Sequence, residues 1–369
     1  MVIYQVMDQS IKVLQELLRL ALWGDEPRDL KDLELSPRQW TLTMNASLKQ
    51  GVQGLVLDSL ERVGEPHPPR ISLDQFRAMA DAQKLVYRQH LKLTDYLRVR
   101  FENSDRPFTP IVLKGLSLAR LYEKPWLRNL GDIDLYFASP EREKWATDCV
   151  ESWGTPVGRG KCSESSYVMG GVVVEHHGLL VHPHTIIRSQ SRKLQEWIEN
   201  EMKSPDSTRS ISLEGVEIRV LRPDLDLLQL LSHALKHCIN EGIGLRQLCD
   251  IAVFLHANKD IIDGGKTFET LRIFGLESWA RLVFAFLIQW LGLPESDLPY
   301  KVENVQKQNI AALSDEVAKS GDLGFMDERV SKRPRGWKGK AFTARRIFTK
   351  AWRFLPYAPR EIIAWLPTL

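Results

Sequence analysis

Residues 112–137 read VLKGLSLARLYEKPWLRNLGDIDLYF, and they contain the pattern that decides the fold. The apolar run from Phe108 to Lys114 predicts a short strand that ends at Gly115. Residues Leu116 to Tyr122 then predict a helix, and Asp132 to Phe137 predict a second strand. A strand, a helix and a strand in this order indicate the start of an α/β core.

The second of these strands begins with two acids, Asp132 and Asp134. Because alternate side chains of a strand point to the same face, both carboxylates project together while Ile133 and Leu135 face the core. Two like charges this close repel each other unless a cation or another partner neutralises them. A hard divalent cation with oxygen ligands does so, and we expect Mg²⁺ or Mn²⁺. The alternative is a solvated strand face, because two acids at this spacing are a common pattern.

The rest of the middle third predicts a small mixed sheet. A helix over Pro140 to Trp153 follows the acidic strand, with Ser139 as its N-terminal cap. Two strands, Ser166 to Met169 and Val172 to Leu180, are joined by a glycine turn, and Ser210 to Leu221 predicts another hairpin.

Helices are expected on both sides of this core. Apolar residues recur at helical spacing in Ser10–Leu22, Pro37–Gly51, Leu73–Asn103, Leu225–Ile239, Leu245–Ala257 and Leu276–Leu291. The sequence therefore predicts an α/β (α+β) fold, with a small mixed-sheet core flanked by N-terminal and C-terminal helical regions. We divide the chain into residues 1–103, 104–222, 223–320 and 321–369.

Four residues near the acidic strand are candidates for binding a phosphate group: Lys114, Gly115, Ser117 and Arg128. A glycine lets a phosphate approach the backbone, and the N-terminus of a helix offers free N–H groups to an anion. The guanidinium group of Arg128 can hold a phosphate at two points. The alternatives are an ordinary strand-to-helix turn and a structural ion pair of Arg128 with Asp132 or Asp134.

Glu175 is the candidate for a third acid. It lies in the strand Val172 to His177 among apolar residues, where a carboxylate is costly to bury without a partner. If this strand lies beside the Asp132 strand, Glu175 completes a cluster of three carboxylates. The alternative is an exposed glutamate at a strand end. In that case Glu164 and Glu217 are the reserve candidates for the third acid.

Together, these motifs resemble the DNA polymerase β-type nucleotidyltransferase superfamily, in which a Gly/Ser turn precedes a D-x-D strand and a third acid follows. They look most like an uncharacterised bacterial nucleotidyltransferase family, and roughly residues 100–260 carry the resemblance. The family's motifs are K-G, R-x-x-x-D-I-D, an acid beside a histidine, H-x-x-x-H and L-R-x-x-x-D-I. In this chain they are Lys114-Gly115, Arg128 to Asp134, Glu175-His176-His177, His233 to His237 and Leu245 to Ile251.

The resemblance implies an enzyme that uses Mg²⁺ or Mn²⁺ to transfer a nucleotidyl group from an NTP to an acceptor hydroxyl, with release of pyrophosphate. Asp132, Asp134 and Glu175 are then the catalytic and metal-binding residues. The acceptor stays open between a small molecule, a peptide and RNA, the last as in nucleotidyltransferase toxins. A non-catalytic nucleotide-binding scaffold with the same fold is the alternative from another class.

Three histidines, His177, His233 and His237, are expected to line the cleft. His233 and His237 lie one helical turn apart, so they share a face where they could bind a metal, a phosphate or the acceptor. A structural pair within the helical bundle is the alternative. Arg246 and Asp250, one turn apart on the next helix, predict an ion pair along that helix.

The composition of the 369-residue chain is that of a globular protein, and its net charge of +3 does not indicate a nucleic-acid binder. The four cysteines form no C-x-x-C pair, which argues against a zinc knuckle. Charges interrupt the apolar pattern at the N-terminus, and the apolar run Leu282 to Leu293 is too short to cross a bilayer. We expect a cytoplasmic protein without a transmembrane segment.

The segment from Arg329 to Arg360 carries many cations and aromatic residues but no acid. An anionic partner, either RNA or a membrane surface, would neutralise these charges and receive the aromatic side chains. Packing against the helical domain is the third alternative.

Overall fold

The structure is a computed structural model, and it describes residues 2–24, 35–63, 68–160, 164–181, 188–303, 307–324, 327, 334–359 and 362. Within these residues the chain forms one mixed sheet surrounded by helices. The strands are β1 (Ile111–Leu113), β2 (Ile133–Tyr136), β3 (Gly158–Arg159), β4 (Glu164–Met169), β5 (Val172–His177), β6 (Thr208–Leu213) and β7 (Val216–Leu221). Their order across the sheet is β3-β4-β5-β2-β1-β7-β6.

Both kinds of strand pairing occur in the sheet. β2 pairs with β1 in antiparallel fashion and with β5 in parallel fashion, and β1 also pairs parallel to β7. The predicted mixed sheet is therefore confirmed, as is the α+β fold class. β1 is shorter than the predicted strand because it starts after Pro110, which has no N–H to donate to a neighbouring strand.

The helices flank the sheet as predicted. They are α1 (Val2–Trp23), α2 (Pro37–Lys49), α3 (Gln53–Val63), α4 (Arg70–Glu102), α5 (Gly115–Ala119), α6 (Pro140–Ser152), α7 (Arg188–Met202), α8 (Pro223–Asn240), α9 (Leu245–Asn258), α10 (Gly264–Phe274), α11 (Glu277–Phe286), α12 (Lys307–Ser320) and α13 (Gly336–Phe354). A π-helical turn, Leu287–Leu291, continues α11. The side chain of Ser139 accepts a hydrogen bond from the N–H of Arg142, so the predicted cap of α6 is confirmed.

The sheet separates two hydrophobic clusters. Ile133 and Leu135 of β2 pack in one cluster with Phe101 of α4 and Val150 of α6. Leu113, Tyr136 and Leu228 belong to the other cluster, which also includes residues of α1, α3, α9 and α11. The alternation of β2 therefore turns Ile133 and Leu135 toward α4 and α6, and it turns Asp134 and Tyr136 toward the other cluster, on the side of α8 and α9. No helix in the described ranges has the length and apolar character needed to cross a membrane.

A buried ion pair fixes α9 against the loop that leads into β2. Nε of Arg128 lies 2.8 Å from Oδ1 of Asp250, and a terminal guanidinium nitrogen lies 2.7 Å from Oδ2. The hydroxyl of Tyr122 donates to the same Oδ1 at 2.8 Å. Both members of the pair are almost fully buried. This two-point pairing is the strong form of a guanidinium–carboxylate contact.

The predicted ion pair between Arg246 and Asp250 is wrong. Arg246 pairs instead with Asp322, with 2.7 Å between Nε and Oδ2. The physical reason is that Asp250 faces the buried loop, where Arg128 offers two parallel donors. A single contact along the helix surface contributes far less.

We predict that Asp250→Asn lowers the free energy of unfolding by about 3 to 5 kcal/mol, because it leaves the charge of Arg128 buried without a partner. Urea unfolding measures the change. The matched control is Asp148→Asn, whose exposed pairs with Lys144 and Arg159 should contribute less than about 1 kcal/mol. Equal losses in the two variants would show that the buried pair does not stabilise the fold as described.

Candidate active site

The parallel pairing of β2 and β5 brings two acids together. Asp134 and Glu175 are direct partners in the register, so their side chains leave the same face of the sheet side by side. His177 follows Glu175 by two positions and shares this face. The ligand atoms of Asp134, Glu175 and His177 all lie within 4.8 Å of one another. We call these three residues the acidic cluster.

Asp134 keeps its charge although its side chain is only 1% exposed. Nζ of Lys114 lies 3.0 Å from its Oδ1, and Nε2 of His177 lies 2.8 Å from the same oxygen. Burial alone would raise the pKa of Asp134, but the charge of Lys114 and the hydrogen bond with His177 outweigh it and hold the pKa well below its usual range. The carboxylate is therefore ionised at neutral pH.

Glu175 is the more accessible acid of the cluster, with 40% of its side chain exposed. Its pKa is raised, first by partial burial and then by the negative charges of Asp134 and Asp132. Asp132 lies just before β2 and lines the same cavity. Sequence reasoning grouped Asp132, Asp134 and Glu175, whereas the tightest grouping among the described residues has His177 in place of Asp132.

His177 lies between the acids and connects them. Its Nδ1 lies 3.7 Å from Glu164, which was one of the two reserve acids. Burial lowers the pKa of His177, but hydrogen bonds with Asp134 and Glu164 raise it to about 9. The other reserve, Glu217, is exposed on β7 and does not line this cavity.

The donor set fits a divalent cation. The carboxylates of Asp134 and Glu175 lie close enough together to offer oxygen ligands to one ion, and oxygen is the ligand that Mg²⁺ and Mn²⁺ prefer. Asp134 and Glu175 would hold such an ion directly, with His177 beside them and Asp132 at the cavity wall. The buried carboxylate of Asp134 needs positive charge beside it. The protein itself supplies some, because Lys114 and His177 both lie within 3.0 Å of one oxygen of Asp134.

The turn between β1 and α5 has a strained backbone. Lys114 and Gly115 both have positive φ values, of 45° and 43°. This conformation is unfavourable for lysine, and strain of this kind is typical of functional sites. Its result is that the Lys114 side chain reaches Asp134. Ser117 is buried, and its hydroxyl donates to the carbonyl of Lys114 at 2.8 Å, so it stabilises the turn and does not line the cavity.

A chain of polar contacts extends from Lys114 along α8. Nε2 of His233 lies 2.8 Å from Nζ of Lys114 and 2.9 Å from Nε2 of His237, and His237 contacts the carboxylate of Glu241. Burial and then the charge of Lys114 hold the pKa of His233 far below its usual value. His233 is therefore neutral, and its Nε2 accepts a hydrogen bond from the ammonium group of Lys114, which has only donors.

These groups surround a cavity of about 340 Å³ between the sheet and α8 and α9. Nine of the ten site residues selected from the sequence line it, and the exception is Ser117. The nine are Lys114, Gly115, Arg128, Asp132, Asp134, Glu175, His177, His233 and His237. Arg128 lies at its wall, but its guanidinium group is held by Asp250.

Sequence reasoning assigned no role at this cavity to Lys236, Glu241 or Arg246, all of which line it. Lys236 lies between the two helical histidines, and Glu241 follows the end of α8 directly. Their position beside those histidines was the available signal. Arg246 lies at the start of α9, where the family motif had marked it only as part of L-R-x-x-x-D-I.

Comparison with known proteins identifies a family for this chain. A family described as "Uncharacterised nucleotidyltransferase" matches residues 36–292, which include the whole sheet, the acidic cluster and both helical histidines. No curated protein and no solved structure gives a match. Since the match covers most of the chain, this protein belongs to that uncharacterised nucleotidyltransferase family.

Proposed function

We propose that this protein transfers a nucleotidyl group from an NTP to an acceptor hydroxyl, with release of pyrophosphate, and that it needs Mg²⁺ or Mn²⁺. The observation that carries the proposal is the in-register pairing of Asp134 with Glu175 at the wall of a cavity. Membership in a family of nucleotidyltransferases supports the reaction class. The side-by-side carboxylates of Asp134 and Glu175, which are close enough to share one ion, support the need for a cation.

The acidic cluster has two proposed tasks. Asp134 and Glu175 hold the metal, with Asp132 and His177 beside them. A divalent ion bound there supplies positive charge to the phosphate oxygens and to the acceptor oxygen. Glu175 also takes the proton of the acceptor hydroxyl, because it is the more exposed of the two paired acids and is open to the cavity.

The triphosphate is proposed to contact Lys114 and Gly115. Lys114 already lies beside Asp134, so its ammonium group can neutralise a phosphate next to the metal site. Arg128 and Ser117 were candidates for the same task, but each has a buried partner of its own. We therefore propose that both act indirectly, Arg128 by fixing α9 and Ser117 by fixing the turn.

The acceptor can be a small molecule, a peptide or RNA, and one experiment separates these. The full chain is incubated with each labelled NTP and Mg²⁺, together with cellular fractions of RNA, protein and small molecules. Label in one fraction identifies the acceptor class. If NTP binds in a metal-dependent way and no fraction is labelled, the protein is a nucleotide-binding scaffold and the proposed transfer is wrong.

We predict that Asp134→Asn reduces transfer by at least about 100-fold, because it removes a charged ligand from the metal site. Asp132→Asn, at a less buried acid of the same site, should also reduce transfer. Removal of the metal ion with EDTA should abolish transfer by the wild-type chain. The control is Glu217→Gln on β7, which should retain full activity. Transfer at ordinary Mg²⁺ by both aspartate variants would contradict the assignment of the metal site.

For Glu175→Gln we predict a fall in turnover of about 100-fold or more, with a much smaller change in NTP affinity. The amide keeps the shape of the side chain but cannot take a proton from the acceptor. Turnover under saturating NTP and the dissociation constant of NTP are measured separately. If affinity falls as much as turnover, Glu175 acts only by holding the metal–nucleotide complex, and its proposed second role as the base is wrong.

A further inference from the structure

One helix combines exposed aromatic side chains with exposed cations. In α13, Trp337, Phe348 and Trp352 are 75%, 50% and 69% exposed. Phe348 and Trp352 are one turn apart and stack, with 6.3 Å between ring centroids, and Trp337 lies about three turns earlier on the same side. We call the surface formed by these three side chains the aromatic ridge.

Three cations, Lys338, Lys340 and Arg345, are exposed around the aromatic ridge. Across the described residues, no carboxylate forms an ion pair with any of them. The segment 334–359 contains no aspartate and no glutamate. The outer side of α13 therefore presents positive charge that nothing in the described part of the chain neutralises.

The inner side of the same helix is fully engaged. Lys350 forms a buried ion pair with Glu316, at 2.6 Å, and Arg353 pairs with Asp315 at 2.9 Å. Arg346 donates to the carbonyls of Asn240 and Glu241 at the end of α8. The helix is thus fixed to the body of the protein through its inner cations, and only its outer side is available to a partner.

Exposed apolar side chains alone do not distinguish the outer side of α13 from other surfaces of the protein. The long helix α4 also exposes large apolar side chains, Ile71 and Leu85 among them, but Asp74 and Asp81 are exposed on the same helix. Acids of this kind oppose contact with a negative surface. In α13 the apolar side chains are aromatic, and the charges around them have one sign.

We propose that the aromatic ridge and its cations dock this protein on an anionic lipid surface. Tryptophan is favoured at the headgroup level of a bilayer, and a basic amphipathic helix lies in that plane with its apolar side chains inserted. A ridge on a convex helix suits a bilayer, which deforms around it. Single-stranded nucleic acid is bound in grooves with separated ring faces, whereas Phe348 and Trp352 already stack on each other.

The proposed surface lies close to the cavity. Glu241, whose carbonyl receives Arg346 and Lys350, is also a residue of the cavity lining. Docking would therefore hold the cavity within about one helix diameter of the lipid headgroups. The docking proposal does not depend on the proposed transfer reaction, and its test needs no NTP.

The test is co-sedimentation of the full chain with vesicles of phosphatidylcholine alone or with about 30% phosphatidylglycerol added. We expect binding to the anionic vesicles only, with a loss of about tenfold or more when salt rises from low to physiological levels and above. The double variant Trp337→Ser/Trp352→Ser should lose at least about tenfold in partition, because it removes the inserted side chains. The triple variant Lys338→Gln/Lys340→Gln/Arg345→Gln should bind both kinds of vesicle equally weakly.

Matched controls lie on α4. Ile71→Ser/Leu85→Ser removes apolar side chains of similar exposure, and Arg70→Gln/Arg88→Gln/Lys92→Gln removes as many exposed cations. Both controls should bind anionic vesicles like the wild-type chain. All substituted side chains are exposed, so thermal unfolding should stay unchanged and a loss of binding reports the surface itself.

Two results would overturn the proposal. The first is vesicle binding that does not depend on the proposed surface. It would be seen as wild-type binding without anionic lipid, or as α13 variants that bind as well as the α4 controls do. The second is a wild-type chain that ignores vesicles but binds single-stranded RNA through the same α13 residues. The partner of this surface would then be a nucleic acid.

Discussion

Asp134 keeps a negative charge where water scarcely reaches it, and two neighbouring cations make this stable. Lys114 and His177 both approach one of its oxygens, and each is itself fixed by further contacts. Lys114 requires the strained turn that ends β1, and His177 requires β5 to lie parallel to β2 in one register. A slip of one residue in that register would turn Glu175 and His177 to the opposite face of the sheet. The order of the central strands is thus tied to the neutralisation of a single carboxylate.

A second buried charge joins the sheet to the helices. Arg128 lies in the loop before β2, and Asp250 lies on α9, so their two-point contact sets the distance between the acidic cluster and the opposite cavity wall. An apolar pair of similar volume could stabilise such an interface equally well. The ion pair also fixes the orientation of the loop relative to α9. Both of its hydrogen bonds, and the one from Tyr122, must be satisfied in the same arrangement of loop and helix.

Local patterns in the sequence predicted the parts of this structure that local physics determines. Strand alternation placed Ile133 and Leu135 in the core and Asp134 on the other face, and the apolar spacing of α8 and α9 predicted both helices. Spacing could not predict the partner of Asp250, since Arg128 is distant in the chain and the nearer Arg246 fitted the helical rule. The helical state of α13 was also missed, because its many cations indicated repulsion, while the acids that neutralise its inner side, Asp315 and Glu316, belong to α12. The roles given to Asp132, Asp134 and Glu175 stay predictions until activity is measured.

The contact between α13 and the end of α8 has a consequence for the order in which the protein matures. The last carbonyls of a helix have no partners within it, and here Arg346 supplies donors to two of them. Arg346 follows Glu241 by 105 residues. Ribosomes make the chain from its N-terminus, so the residues of the sheet, including its acids, are synthesised well before Arg346. Glu241 and the histidine that it contacts, His237, reach their final surroundings only after Arg346 has been synthesised. The cavity is therefore completed later than the strands that carry its acids are synthesised.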